Sequence, residues 1–137
     1  MQRLVIDTNV IVSSLIQKSF PYKIINDFFI EGRVNLCVSE MLMAEYYEVL
    51  RRPKFSQYPD FTGRAEALLA DVETKSLKFY PEISIDLLSD KDDNMILELA
   101  DACSADYIIT GNTNHFTFSF YKHTQIVTPR EYWLLYQ

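Results

Sequence analysis

An α/β architecture is expected here: a three-layer α/β/α sandwich around a central, mostly parallel sheet. Short apolar runs of strand length recur along the 137 residues, and stretches with helix-spaced apolar residues separate them. Strands separated by helices need crossover connections, and crossovers make neighbouring strands parallel. At 48% hydrophobic and 23% charged, with few Gly and Pro, the composition is that of an ordinary globular protein. The length suits a single domain over residues 1–137.

Leu4-Val5-Ile6 is a buried first strand that ends at Asp7-Thr8-Asn9, a helix-capping triplet, and Val10 to Leu15 continues as a short helix. Pro21 opens an amphipathic helix through Ile24, Ile25, Phe28 and Phe29, stopped at Gly32. Val34 to Val38 is a second strand; Ser39 caps the next helix, which runs to about Arg52 before Pro53. A helix from Thr62 or Gly63 to about Lys75 carries Leu68, Leu69 and Val72, and Leu77–Tyr80 follows as a third strand. Ser89 or Asp90 caps a helix through about Cys103, and Tyr107–Thr110 is the fourth strand, ended by Gly111-Asn112. Gln125–Val127 is the fifth, and Pro129 opens a closing helix with Tyr132, Trp133 and Tyr136. Between Asn114 and Thr124, the alternation of Phe116, Phe118 and Phe120 fits both a strand and a surface loop anchored by aromatics.

No apolar run approaches the ~18 residues of a membrane span. The opening Met1–Asp7 does not read as a signal peptide, because its apolar stretch is short and ends at an acid. Cys37 and Cys103 lack metal-ligand spacing and read as buried free thiols of a cytoplasmic protein. The net charge of −6 and pI near 4.8 mean that a polyanion must be handled through a local basic patch or bound metal ions. Such a balance equally suits a basic protein partner.

In an open parallel sheet, the loops beyond the carboxyl ends of the strands form the ligand crevice. Asp7, Glu45, Asp90 to Asp93 and Asn112 all map to that edge. Glu45 lies on one helical stripe with Leu42, Tyr46 and Val49, and Asp93 on another with Ile96, Leu97 and Ala100. An inward charge is unfavourable unless paired or metal-bound. Each acid also has a simpler reading: Asp7 as a helix cap, Glu45 as a partner of Arg51, and Asp93 as a complement to the helix dipole. Together, three inward carboxylates without a basic cluster call for a hard divalent cation such as Mg²⁺ or Mn²⁺. Such an ion suits phosphodiester hydrolysis by activated water. Thr8, Asn9, Ser39 and Thr110 lie near the same edge, as candidates for orienting substrate or water. The run Arg51-Arg52-Pro53-Lys54 is the best local basic patch. It can touch the phosphates of a polyanion or simply be a solvated helix end.

Four stretches carry a family resemblance: Val5-Ile6-Asp7-Thr8-Asn9-Val10, Ser39 to Glu45, Asp90 to Ala100, and Ala105 to Asn112. In this order they resemble a PIN domain, most closely a VapC-like toxin of the short type found in toxin–antitoxin modules. The resemblance implies a metal-dependent endoribonuclease using Mg²⁺ or Mn²⁺, with RNA as substrate, a co-expressed antitoxin protein as partner, and frequent homodimerisation. It carries the catalytic, metal-holding acids onto Asp7, Glu45 and Asp93. Asn112 stands where the family usually has a fourth Asp, so one charge is lost; Asp90, one turn before Asp93, is placed to compensate. That departure motivates an alternative, a degenerate PIN module that binds a protein or RNA without cutting. A receiver-like acidic pocket fits less well, because it leaves the inward Glu45 unexplained.

Overall fold

The computed structural model describes residues 1–137. Its elements are β1 (Arg3–Ile6), α1 (Thr8–Ile16), α2 (Phe20–Ile24), β2 (Asn35–Val38), α3 (Glu40–Leu50), α4 (Phe61–Lys75) and β3 (Leu77–Lys78). These are followed by α5 (Lys91–Cys103), β4 (Tyr107–Ile109), β5 (Phe120–Tyr121), β6 (Thr124–Val127) and α6 (Pro129–Tyr136). The sheet order is β3-β2-β1-β4-β6-β5, parallel throughout except for the β5–β6 hairpin. It is the expected α/β sandwich.

β1 is central because Leu4, Val5 and Ile6 have no accessible surface, and each such side chain contributes about 1.5–3 kcal/mol on burial. Leu4 is in register with Leu36 of β2 on one side and Tyr107 of β4 on the other. From β1 the chain builds outward through β2 to β3, then α5 carries it back across β1 to β4. The direction of winding therefore reverses between β1 and β4. Diverging loops at such a reversal leave a crevice at the carboxyl ends of the two strands, the usual ligand position in open α/β sheets. Asp7 and Thr110 directly follow those two strands.

Several expectations change. The helix expected from Pro21 to Gly32 divides into α2 and a π-helical turn, Ile25–Ile30, after which Arg33 N–H donates back to Phe28 O at 2.8 Å. The wider turn keeps Ile25, Phe28 and Phe29 buried together, and Gly32, at φ +74°, then redirects the chain. The third strand pairs only over Leu77–Lys78 rather than to Tyr80. A sixth strand appears within the ambiguous 114–124 segment: Phe120–Tyr121 pairs antiparallel with Thr124–Gln125, while Phe116 is buried as a loop anchor. Cys37 and Cys103 are fully buried free thiols, as expected.

Candidate functional site

Asp7 is where β1 becomes α1. Its backbone N–H donates to Ile109 O at 2.9 Å, which aligns it with the end of β4. One carboxylate oxygen accepts from Thr8 N–H at 2.8 Å, the helix-cap bond. The other accepts from the Thr110 hydroxyl, also at 2.8 Å, across 103 residues of sequence. Asp7 is thus a cap, and it is also held by a fully buried hydroxyl from the neighbouring strand.

Glu45 projects from the inward stripe of α3 and accepts a hydrogen bond from the Thr8 hydroxyl. Beside it, the fully buried Tyr46 donates its hydroxyl to Ile6 O, stapling α3 to the end of β1. Tyr46 therefore sets the distance between the helix carrying Glu45 and the strand carrying Asp7. Its adjacency to Glu45 on the same stripe was the only sequence signal for this role.

Asp93 is almost fully buried in the first turn of α5, with His115 Nδ1 3.4 Å from its Oδ2. Asp90 caps the helix by accepting from Asp92 N–H at 2.8 Å and remains exposed. Asn94 fixes the approach to this helix. Its side-chain oxygen accepts from the N–H groups of Leu87 and Leu88 at 3.2 and 2.9 Å, and its amide donates to Leu88 O at 2.9 Å. Nothing in the sequence singled out Asn94 beyond its place after three acids.

Asp7, Glu45, Asp90, Asp92, Asp93 and Asn112 line one open cleft of about 460 Å³, with Thr8, Asn9 and His115. Asn9 ties the first turn of α1 to the loop after β4, its side-chain oxygen accepting from Gly111 N–H at 3.3 Å. Asn112 N–H donates to the Thr110 hydroxyl at 3.1 Å. One expectation fails, and one alternative reading drops out. Ser39 does not border the cleft: it caps α3, accepting from Leu42 N–H at 3.1 Å, and faces small grooves beside Phe79 and Tyr80. Arg51 does not pair with Glu45, because it is engaged by Glu66 with N–O distances of 3.0 and 3.2 Å.

Electrostatics follow from this crowding. Burial pushes the Asp7 carboxyl above its ordinary range, opposed by the bonds from Thr110 and Thr8. Burial also raises Glu45, opposed by the Thr8 hydroxyl and reinforced by the charges of Asp92 and Asp7. Burial and then the Asp90 charge raise Asp93, with His115 acting against them. None of the three is ion-paired to a Lys or Arg. The donors are all oxygens, which suits a hard divalent cation. Even so, no three acids converge here into a complete ligand set for an ion.

A family model described as PIN domain matches residues 3–114, and the chain belongs to that family. Along its length it is similar to the uncharacterized protein MJ1680 of Methanocaldococcus jannaschii, 29% identical over 139 residues, covering 95% of this chain and 88% of that protein. In fold it is similar to a chain in the crystal structure of VapBC2 from Rickettsia felis bound to a DNA fragment from their promoter. That match has a TM-score of 0.59 at 13% identity and covers 93% of this chain and 98% of that one. No helix is long and apolar enough to cross a membrane.

Proposed function

We propose that this PIN-domain protein is an endoribonuclease dependent on Mg²⁺ or Mn²⁺, and the toxin of a toxin–antitoxin pair acting in the cytoplasm. One observation carries the reading: Asp7, Glu45 and Asp93 border a single cleft at the winding reversal of the sheet, all charge-crowded and none neutralised by Lys or Arg. These three line the cleft without converging on one point, so holding the ion would require their carboxylates to draw together around it, with Asp90 and Asn112 as outer positions. When bound, the ion supplies Lewis acidity, activating water and offsetting negative charge that develops on the phosphodiester. Thr110 and Thr8 hold Asp7 and Glu45 in place. The fold shared with the VapBC2 chain supports an antitoxin partner.

The test is Mn²⁺-dependent cleavage of RNA by purified protein beside its Asp7→Asn variant. Loss of cleavage in the variant is expected, and equal cleavage by both overturns the assignment. Asn112 favours a second reading, a PIN module that binds without cutting. Calorimetric Mn²⁺ titration separates the two. The nuclease reading expects saturable binding, tightened about tenfold in Asn112→Asp by the added charge; no saturable binding in either form leaves the non-cutting module.

A further inference from the structure

The cleft is acidic and the whole chain carries a charge of −6, so an approaching RNA strand is repelled unless cations meet its phosphates. The structure divides the basic run at the end of α3. Arg51 turns away: Glu66 holds it, and its guanidinium carbon lies 4.7 Å from the Tyr47 ring centroid. Arg52 and Lys54, in contrast, line the same acidic cleft as Asp90, Asp92 and Asp93.

We infer that Arg52 and Lys54 form a phosphate-gripping rail that lays a single-stranded RNA backbone along α3 towards Asp7, Glu45 and Asp93. This rests on the nuclease reading above and names how that site receives its substrate. Lys54 makes no ion pair, so its ammonium is available to a phosphate. Arg52 is held only by Glu48, at 2.9 Å, in a pair exposed on both sides. Exposed pairs of this kind are weak enough for a phosphate to replace. The platform is rigid: the 3₁₀ turn Pro53–Gln57 is anchored by buried Phe55, stacked on Phe61 with centroids 4.9 Å apart. A role limited to the helix dipole does not account for Lys54, which lies past Pro53, outside the last turn of α3. Five residues at about 1.5 Å each put the end of α3 at Leu50 roughly 7.5 Å along the axis from Glu45, and Arg52 lies two residues beyond it, within reach of a neighbouring nucleotide.

The test is the salt dependence of binding to a labelled, single-stranded oligoribonucleotide, read by fluorescence anisotropy in the Asp7→Asn background so that nothing is cut. Single strands lose about 0.7 of the log–log salt slope per phosphate contact. Lys54→Gln is expected to lose about that much and Arg52→Gln, Lys54→Gln together about 1.4. Arg51→Gln, which removes the same charge from the pair with Glu66, is expected to leave the slope unchanged. An unchanged slope in the double variant overturns the rail, and so does an equal loss in Arg51→Gln, because net charge alone would then explain the effect. With Asp7 intact, the double variant is expected to raise KM at nearly constant kcat and to keep wild-type Mn²⁺ binding. Cleavage without the slope loss removes the rail and leaves the nuclease; the slope loss without any cleavage by wild-type protein does the reverse.

Discussion

Replacing Thr110 by valine removes one hydroxyl and almost no volume from a position with no accessible surface. Two bonds go with it: the donation to Asp7 Oδ2 at 2.8 Å and the acceptance from Asn112 N–H at 3.1 Å. Valine matches threonine in shape and suits a strand end, so local propensity changes little and the lost hydroxyl carries the effect. A hydrogen bond to a charged group is worth about 1.5–3 kcal/mol, part of which water regains in a cleft this open. Loss of the partner that orients a metal-holding carboxylate lowers affinity by about 10–100-fold. That range corresponds to about 1.4–2.7 kcal/mol, so the two routes agree. The assay is calorimetric Mn²⁺ titration of wild type, Thr110→Val and Thr110→Ser, with thermal unfolding in EDTA recorded for each. Thr110→Ser, which restores the hydroxyl, is expected to recover most of the affinity. Wild-type Mn²⁺ affinity in a folded Thr110→Val protein would refute the assignment of Thr110 as the residue that positions Asp7.

Asn94→Ala breaks the three bonds that fasten the segment before α5, at a cost of about 2–3 kcal/mol. At about 3–5 °C per kcal/mol for a chain of this length, Tm is expected to fall by roughly 6–15 °C; limited proteolysis should open the chain between residues 81 and 88. At the far end of α5, Asp101 accepts from Lys122 and Tyr121 of the β5–β6 hairpin. The Lys122 contact, foremost, holds its carboxyl below the ordinary aspartate value. A lowered folded-state pKa gives stability that is present above the ordinary value and is lost as pH falls through the lowered one. Asp101→Asn is therefore expected to lower Tm at pH 7 by a few degrees, with the difference closing in acid below the ordinary carboxylate range. A constant difference across that range would show that the charge plays no part.

The strand runs and helical stripes were legible because they are set by chain-local geometry: period two, period 3.6, and capping residues next to each end. The same locality puts Asp7, Glu45 and Asp93 at one edge of the sheet. The PIN resemblance drew on the same stretches, and the family match over residues 3–114 agrees with it. The hairpin at Phe120–Tyr121 was not legible in that way, since two residues are too few to show a period.

Choices of partner belong to the packed molecule. Arg51 and Arg52 are adjacent in sequence, yet the chain leaves α3 at Arg51 and becomes extended at Arg52, and one side chain goes to Glu66 while the other borders the cleft. Ser39 sits at the same strand edge as Thr110, but its hydroxyl is taken up by its own helix, whereas Thr110 reaches Asp7. Local order along the chain told which residues point inward; which of them meet was decided by how α3, α5 and the two central strands seat against one another. Hydrogen bonds act over about 3 Å, and the residues they join here lie as many as 130 positions apart.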